Sequence, residues 1–421
     1  MRSKNAVIIL ILLWAISFHS QLAMASSQPA ITITVDSKLV KTEVSPIIRS
    51  GRTMVPLRAV GEALHLQVGW NPVNQTINLT GTGLNLILTI GNQNALLNNG
   101  PLQMEVPPFI VNGRTMVPLR FISEAIGCEV NWNEGKQLVA INSPPAPLKV
   151  IAFYALGNSE NSSWNDLFNA TYPDVSQGNT GIVNEVALGW YTLDQDGILS
   201  NQSQSGWSQP QGWEDVLQAT KQFDLDTQMT VHMTDKNSAI MNLLTNEEAQ
   251  DSAVISITQT AALYNGVNLD FEGLGWNDTG VDLIRVQELF SQFVNKLSLS
   301  LHQSDKTLAL GLHPQNSSYL GYDYRILGTM ADQIIIMAYD YGPKPEPLDK
   351  VKQAVTMAQL LVPSKNLYLG ISVPSETPES MGEKITLASN SKLGGIAIWR
   401  LGLLTDSMWD QLKSNPRIEN K

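Results

Sequence analysis

The sequence predicts an α/β protein in which a (β/α)8 barrel follows a small α+β repeat domain. Eight short apolar runs alternate with helical stretches after residue 148, and an octapeptide of the first domain recurs 62 residues further on. The chain has 421 residues, of which 43% are hydrophobic and 15% charged. This length suits two or three domains, and the composition excludes a largely disordered chain.

Charge is divided unevenly along the chain, whose formal net charge is -11. Residues 26–147 carry a net charge of +1, whereas residues 148–421 carry -14. An acidic chain without a run of Lys or Arg is poorly suited to nucleic acid, so we expect no nucleic-acid partner. The split predicts that the two parts of the chain have different roles.

The first 25 residues are predicted to be a secretory signal peptide. Arg2 and Lys4 precede an apolar run over residues 6–16, and small residues occupy the cleavage-recognition positions within 23–25. The alternative is an uncleaved membrane anchor, which needs an apolar run of about 20 residues. We expect cleavage before Ser26, no membrane span afterwards, and a secreted protein of the bacterial cell wall or spore surface.

The first domain contains an internal repeat. Residues 51–58 read Gly-Arg-Thr-Met-Val-Pro-Leu-Arg and recur unchanged at 113–120, and a Trp-Asn pair follows each copy. Each copy is predicted to form an extended segment, a glycine turn, a short strand, a short helix and a strand around the tryptophan. Cys128, the single cysteine, matches Leu66 of the first copy, so we expect it to be a buried packing residue.

The doubled motif resembles the copper amine oxidase N-terminal domain of secreted bacterial proteins, over roughly residues 30–142. The resemblance implies an accessory module, and it brings no copper, because the five histidines show no paired ligand spacing. We therefore expect no metal and no organic cofactor. A proline-rich linker is predicted over 143–148. Four arginines of the repeat either bind a wall polymer or brace the fold through internal hydrogen bonds: Arg52, Arg58, Arg114 and Arg120.

The second domain, residues 149–421, is predicted to be the barrel, with its chemistry at the C-terminal ends of the strands. A doubly wound open sheet is the alternative, but no Gly-rich phosphate loop opens a helix after the first strand. The strands are predicted at 149–156, 183–191, 229–234, 266–272, 307–313, 333–340, 367–372 and 394–400. Helical patterns lie at 213–223, 240–264, 280–302 and 349–361.

The fourth predicted strand carries two acids. Because side chains alternate between the faces of a strand, Asn268, Asp270 and Glu272 are predicted to point into the barrel. The Cα atoms of the two acids are then about 7 Å apart. We expect Asp270 to disfavour ionisation of Glu272 and so to keep a proton on it near neutral pH, as a general acid requires. A structural polar cluster is the alternative interpretation.

Three motifs resemble glycoside hydrolase family 18, the chitinase family, and they follow its strand order. Residues 265–272 resemble the strand-four signature D-G-x-D-x-D-x-E. Residues 337–341 resemble the M-x-Y-D motif of strand six, and residues 394–399 resemble strand eight, which ends in tryptophan. The asparagine before Leu-Asp-Phe-Glu and the accessory module most resemble the spore-cortex and peptidoglycan N-acetylglucosaminidase branch.

The resemblance implies substrate-assisted hydrolysis, in which the 2-acetamido oxygen of the sugar attacks C1. Glu272 would protonate the leaving oxygen, Asp270 would stabilise the oxazolinium ion, and Tyr339 would donate its hydroxyl to the acetamido oxygen. Asp340 would position the sugar, and Trp399 would form an apolar floor under the ring. For Tyr339 and Trp399 the alternative is an ordinary core role. The other candidate substrate-binding residues are Asn268, Met337, Trp190, Tyr191 and His313.

Two features set expectations for activity and groove shape. Asn265 and Asn268 replace acids that, in the family, hold and recharge the residue matching Asp270, so lowered activity or a shifted pH range is expected. Only residues 373–393 separate strands seven and eight, too few for the α+β insertion of many chitinases. This spacing predicts a shallow, open groove.

The leading hypothesis is a secreted glycosidase that cleaves β-1,4 linkages at N-acetylglucosamine in peptidoglycan or spore cortex. Its predicted partner is an N-acetylglucosamine-containing polysaccharide. The alternatives are a chitinase that uses the same residues and a non-catalytic glycan-binding wall protein. Retention of Glu272 argues against the last, whereas Asn265 and Asn268 keep it open. In either enzyme, the near-neutral module is expected to hold the acidic barrel near an anionic wall.

Overall fold

The computed structural model describes residues 31–419 apart from 65, 82–83, 145–146, 155–162, 203–207 and 277. The chain divides into two compact units, Met1–Pro144 and Pro145–Lys421. The predicted signal peptide and part of the predicted linker lie outside the described residues. Within the described ranges, the structure has no helix that is both long and apolar enough to cross a membrane.

The first unit consists of short strands and two seven-residue helices, Leu57–Ala63 and Leu119–Ala125. Both copies of the repeat show the predicted order of strand, glycine turn, strand, helix and strand. Gly51 and Gly113 form the turns with φ of +71° and +74°, a region that glycine enters without strain. The strands are Thr32–Val35, Lys38–Leu39, Ile47–Arg49, Arg52–Pro56, Gln67–Asn71, Thr76–Gly81, Leu84–Thr89, Asn94–Leu97, Gly100–Gln103, Phe109–Val111, Arg114–Pro118, Glu129–Asn133 and Leu138–Asn142.

The two copies of the repeat meet at a central pair of strands. Arg52–Pro56 pairs antiparallel with Arg114–Pro118, and Val55 lies opposite Val117. Exchanging the two copies reproduces the same pairing, so an approximate two-fold axis passes through this valine pair. Parts of different copies are therefore brought together in two equivalent places.

Ion pairs join the two halves of this unit. Arg52 pairs with Glu105, and Arg114 pairs with Glu43, so both partners are also 62 residues apart. Internal pairing of these two arginines agrees with the bracing interpretation, and binding of a polymer by the four arginines stays a prediction. All four side chains are partly exposed, and such pairs stabilise a fold by at most about 1 kcal/mol. They orient the guanidinium groups more than they hold the unit together.

The core of the first unit lies beneath these strands. Val55, Val117 and Cys128 belong to it together with aliphatic side chains of both helices. Burial of Cys128 confirms the prediction that it is a packing residue.

The second unit is a closed barrel of eight parallel strands, as predicted. The first strand pairs with both the second and the eighth, and Ile151 lies opposite Ala397 across the closure. Closure leaves no open sheet edge among these strands. A short strand, Leu199–Ser200, adds to the second barrel strand in antiparallel fashion. The barrel strands are β1 Lys149–Tyr154, β2 Glu185–Leu193, β3 Asp226–Thr234, β4 Gly266–Glu272, β5 Thr307–Leu312, β6 Gln333–Ile336, β7 Leu367–Ser372 and β8 Gly395–Trp399.

Helices cover the outside of the barrel. The single helix predicted over 240–264 is wrong: two helices meet at Asn246, which has extended backbone angles. The Asn246 side chain accepts a hydrogen bond from the N–H of Ala249 and so caps the second helix. The α-helices are Ser163–Phe168, Trp213–Gln222, Ala239–Thr245, Glu247–Thr260, Gly280–His302, Tyr324–Leu327, Leu348–Gln359, Pro378–Asn390 and Asp406–Ser414. Single 3₁₀ turns are Lys236–Ser238, Ala261–Leu263, Ser364–Asn366 and Val373–Ser375.

The segment between β7 and β8 is short and simple. It holds one 3₁₀ turn, Val373–Ser375, and one helix, Pro378–Asn390. The prediction that it contains no α+β insertion is confirmed. The openness of the groove that we infer from it stays a prediction.

Candidate active site

Strand β4 directs its acids into the barrel. On its outer side Phe271 stacks on Phe293 of the adjacent helix, with ring centres 5.7 Å apart. By the alternation of a strand, Asp270 and Glu272 face the opposite way, toward the barrel axis. Asp270 is only 5% exposed, and Glu272 lies one step nearer the C-terminal mouth.

Both carboxyl groups have raised pKa values. Burial is the main cause in each, because a low-dielectric environment disfavours the charged form. The charge of Glu272 further raises the pKa of Asp270, to well above its ordinary value. The added charge that acts on Glu272 is that of Asp340, whereas the sequence assigned this effect to Asp270. Both acids therefore hold a proton to a higher pH than an exposed carboxyl group does.

A cavity of about 340 Å³ opens beside Asp270 at the barrel mouth. Glycines on neighbouring strands provide the space: a Cβ at Gly311 would lie 2.9 Å from Asp270 Oδ1, and one at Gly370 would lie 3.1 Å from Tyr339 Cε1. Trp399 at the end of β8 forms part of the wall. A cavity of this size suits a small ligand group. Its lining also includes Phe153, His232, Ile335, Met337, Ser372 and Ala397.

Strand β6 ends at Ile336, four residues earlier than predicted, because the chain enters two tight turns. Ala338 and Tyr339 each donate their N–H to the carbonyl two residues earlier. The buried Glu346 then fixes the next residues, since its carboxylate accepts hydrogen bonds from the N–H of Asp340 and of the residue after it, at 3.0 and 3.1 Å. Asp340 itself has φ of +64°. These turns place Tyr339 beside the acids of β4.

The Tyr339 hydroxyl keeps its proton at neutral pH. Burial, followed by the charges of Asp270, Glu272 and Asp340, raises its pKa well above the ordinary value of 10.0. A protonated hydroxyl donates a hydrogen bond to an acceptor such as an amide oxygen. The cavity therefore combines this hydroxyl donor with the carboxyl groups of Asp270, Glu272 and Asp340.

A larger cavity of about 810 Å³ adjoins the first, and Glu272, Tyr339 and Asp340 border both. His313 lies in its wall, with its ring centre 4.3 Å from that of Tyr319. Burial lowers the pKa of His313 to about 4, so the imidazole is neutral near pH 7. A chain molecule that occupies both cavities passes over Glu272. Further lining residues are Trp276, Asn316 and Tyr341.

Trp190 and Tyr191 lie in the packing layer outside β2, which corrects the prediction that they contact substrate. Trp190 is fully buried, and its ring centre lies 6.4 Å from that of Tyr154. The Tyr191 hydroxyl lies 3.0 Å from that of Tyr264. The pairing of β2 with β3 is irregular between Leu188 and Tyr191, so simple alternation does not hold there.

The two asparagines of the β4 signature lie away from the cavity. Asn268 is fully buried and donates its side-chain amide to Gln228 at 2.9 Å, so it supports the barrel interior instead of contacting substrate. Asn265 accepts hydrogen bonds from the N–H and hydroxyl of Thr227, at 2.9 and 3.1 Å. Five residues of strand, about 16 Å, separate Asn265 from Asp270. Asn265 therefore makes no direct contact with Asp270 that could produce the expected effect on it.

His232 is a site residue that the sequence analysis missed. It lies opposite Asp270 in the β3–β4 register, and one atom from each of His232, Asp270 and Glu272 lies within 4.8 Å of the others. Burial lowers the pKa of His232 to about 4, so a neutral imidazole faces two protonatable acids. A divalent cation would fit this spacing, but it would remove the proton that Glu272 needs as an acid. The alternation of polar residues on β3 was the signal that could have revealed His232.

The fold and the site define a (β/α)8-barrel protein with paired acids at its C-terminal mouth, preceded by a two-copy repeat module. Among solved structures, a chitinase from Chromobacterium violaceum shares the barrel with a TM-score of 0.52, at 19% identity over 63% of this chain and 98% of that chain. The spore cortex-lytic enzyme SleL from Bacillus megaterium has a TM-score of 0.52, at 15% identity over 74% of this chain and 79% of that chain. At identities this low, the structural similarity shows a shared fold alone.

Comparison of sequences identifies the first unit. Residues 34–141 match the family model described as the copper amine oxidase N-terminal domain, which confirms that resemblance. The putative sporulation-specific glycosylase YdhD of Bacillus subtilis is 25% identical over 144 residues, 31% of this chain and 32% of that protein. A protease inhibitor of Brevibacillus choshinensis is 26% identical over 139 residues, 32% and 43% of the two chains. The cortical fragment-lytic enzyme of Bacillus anthracis is 25% identical over 142 residues, 30% and 31%. The chain thus spans less than half the length of these relatives.

Proposed function

We propose that this protein is a glycoside hydrolase that cleaves β-1,4 linkages at N-acetylglucosamine in peptidoglycan or spore cortex. The observation that carries the proposal is the position of Asp270 and Glu272 on one face of β4, beside Tyr339, at a cavity in the barrel mouth. Substrate-assisted hydrolysis needs these three groups: a proton donor, a charge opposite a cation, and a hydroxyl for an amide oxygen. The similar proteins named as chitinase and cortex-lytic enzymes agree with this substrate class.

The first step uses the substrate's own 2-acetamido group. Its oxygen attacks C1, the bond from C1 to the leaving oxygen breaks, and Glu272 gives its proton to that oxygen. The acetamido N–H donates to Asp270, and a hydrogen bond to the charged form favours ionised Asp270. Binding thereby moves the proton of the pair toward Glu272, where the reaction requires it. Tyr339 donates to the acetamido oxygen and holds it on the line of attack.

The second step returns the site to its starting state. Ionised Asp270 stabilises the positive oxazolinium ion. Water then adds to C1, the bond from C1 to the acetamido oxygen breaks and restores the acetamido group, and the Glu272 carboxylate takes the proton that the water loses. The sugar is released with retained configuration at C1. Trp399 supports the ring in the smaller cavity together with Met337 and Asp340, and His313 lies beside the leaving part of the chain in the larger one.

The parts of the chain have separate roles in this proposal. Residues 1–25 direct secretion, 30–142 form the accessory module, 143–148 form the linker and 149–421 form the catalytic barrel. The enzyme then acts outside the cell, at the wall or the spore.

Mass spectrometry of peptidoglycan digests tests the function. New reducing-end N-acetylglucosamine, lost in Glu272→Gln, is the expected result. Release only from chitin oligomers would assign the same machinery to chitin instead. Binding without cleavage of either polymer would overturn the enzymatic proposal.

A further inference from the structure

The first unit contains two equivalent clefts, of about 400 and 330 Å³. Each is formed between the hairpin of one repeat copy and the helix start and tryptophan strand of the other. The Trp132 cleft includes Ile48, Arg52, Thr53, Arg120 and Trp132. The Trp70 cleft includes Ile110, Arg114, Thr115, Arg58 and Trp70. Each residue of one set has its counterpart in the other at an offset of 62.

Apolar side chains are exposed in both clefts to a similar degree. Trp70 and Trp132 are each 43% exposed, and Ile48 and Ile110 are also exposed. Exposed aromatic and aliphatic groups that cluster beside polar ones mark interaction surfaces more often than isolated ones do. The same cluster occurs twice on one unit, and packing within the unit leaves 43% of each tryptophan exposed.

Two arginines accompany the tryptophan in each cleft. Arg52 is held in the Trp132 cleft by Glu105, which accepts from its Nε and Nη2 and leaves the Nη1 donors for a ligand. Arg120 lies on the opposite wall, with its Nε 3.8 Å from Glu124. An aromatic face supports the apolar face of a sugar ring, and a guanidinium group binds a carboxylate through two parallel hydrogen bonds. Tryptophan beside arginine thus matches a ring that carries a nearby carboxylate.

We propose that each cleft binds one segment of a carboxylate-bearing amino-sugar polymer, with the ring on the tryptophan and the carboxylate on the arginines. The charge of the chain favours this occupant. Residues 148–421 carry -14, whereas the lining of the Trp70 cleft has two arginines and no acid. The lining of the Trp132 cleft has two arginines and one acid, Glu134. Binding here requires no cleavage, and the inference is independent of the chemistry proposed for the barrel.

The two-fold relation has a consequence for how a polymer is held. A glycan chain has a direction, and a straight chain through both clefts lies perpendicular to the two-fold axis, so the rotation reverses its direction. One straight chain that fits the first cleft therefore runs the wrong way for the second, so the two clefts bind two separate stretches. Short ligands should fill both independently, whereas a wall meshwork should be bound with avidity.

Calorimetry with a short soluble peptidoglycan fragment, made of N-acetylglucosamine and N-acetylmuramic acid, counts the sites. The full chain carries Glu272→Gln in every sample, so that the ligand is not consumed. Trp70→Ala and Trp132→Ala should each lower the number of bound fragments by one, and the double variant by two. The amount of protein that sediments with insoluble peptidoglycan should be more than about tenfold lower for the double variant. The matched control is Val73→Ala, at a site that is 91% exposed in the same unit and outside both clefts.

Several outcomes would overturn the inference. An unchanged number of bound fragments in the double variant shows that the clefts are not the binding sites. Equal affinity for chitin oligomers, which lack the carboxylate, contradicts the role of the arginines. Loss of self-association in the tryptophan variants, with unchanged fragment binding, assigns the clefts to a second copy of the chain. Cleavage of a short soluble substrate by the chain with native Glu272 and both tryptophans separates a failure here from a failure of the proposed hydrolase.

Discussion

Two polar clusters that contain buried acids lie inside the same barrel, and they differ in how the carboxyl oxygens are hydrogen-bonded. At the start of β2, Glu185 accepts hydrogen bonds from the side-chain amides of Gln228 and Gln333, at 2.6 and 2.8 Å. Near the end of β4, Asp270 Oδ1 has no hydrogen-bond partner within the described part of the chain. Burial raises the pKa of both acids.

The difference separates a structural use of a buried acid from a functional one. Asn268 donates to Gln228, so amide contacts around Glu185 join β2, β3, β4 and β6 across the barrel. Buried polar groups that are satisfied in this way stabilise one arrangement of strands. Asp270 instead faces a cavity at the C-terminal end, where barrels of this kind place their ligands.

The largest expected effect distinguishes the two clusters by activity. Glu272→Gln removes the proton that the leaving oxygen needs, so kcat should fall by about 10³-fold, or about 4 kcal/mol of transition-state stabilisation. The matched variant Glu185→Gln should retain kcat within a few fold. Initial rates on a chromogenic N-acetylglucosamine oligomer measure both. Comparable losses in the two variants would end the distinction.

The next effect distinguishes them by stability. Glu185→Leu removes the carboxylate that accepts from the side-chain amides of Gln228 and Gln333, and Gln228 keeps its 2.7 Å hydrogen bond to Gln333. The free energy of unfolding should therefore fall by about 1–3 kcal/mol. Glu272→Gln should not destabilise the fold, because it replaces an acid of raised pKa by a neutral group of the same shape. Urea unfolding of both variants checks this. An unchanged free energy of unfolding in Glu185→Leu would show that the hydrogen bonds around Glu185 do not stabilise the barrel.

A smaller effect tests how tightly Asp270 is positioned. The Cβ of Gly311→Ala would lie 2.9 Å from Asp270 Oδ1 and must displace the carboxylate. A displacement of this kind should lower kcat about tenfold. In Gly181→Ala the added Cβ meets no atom closer than 3.8 Å, so that variant is the control. Equal kcat in the two variants would mean that the position of Asp270 is not critical.

The sequence predicts features that depend on neighbouring residues better than features that depend on residues far apart in the chain. Alternation along β4 placed Asp270 and Glu272 correctly, because it depends only on the period of a strand. Two predictions that rested on position along a strand failed. Trp190 lies beside an irregular register, and Glu346 fixes the chain after β6 from several residues away. The clefts of the first unit could not be foreseen for a related reason. The repeat was visible, but which parts of the two copies meet is determined by strand pairing.

The pH dependence of stability gives the subtlest test of the comparison. Asp270 has a raised pKa in the folded protein, while the unfolded chain ionises near the ordinary value of 3.8. As the pH rises above this value, the unfolded state releases the proton first, and the native state loses stability relative to it.

The side chain of Asp270→Asn does not titrate. The free energy of unfolding of this variant should therefore increase relative to that of the native protein as the pH rises from 3 to 7. Its activity should be lower than that of the native protein. Urea unfolding of both proteins at each pH measures this gain. A constant difference in the free energy of unfolding across this range would mean that Asp270 has the same pKa in the folded and unfolded states. Higher stability together with lower activity in Asp270→Asn would instead show that Asp270 serves the ligand at the expense of the fold. Glu185 differs, because Glu185→Leu should lower the free energy of unfolding.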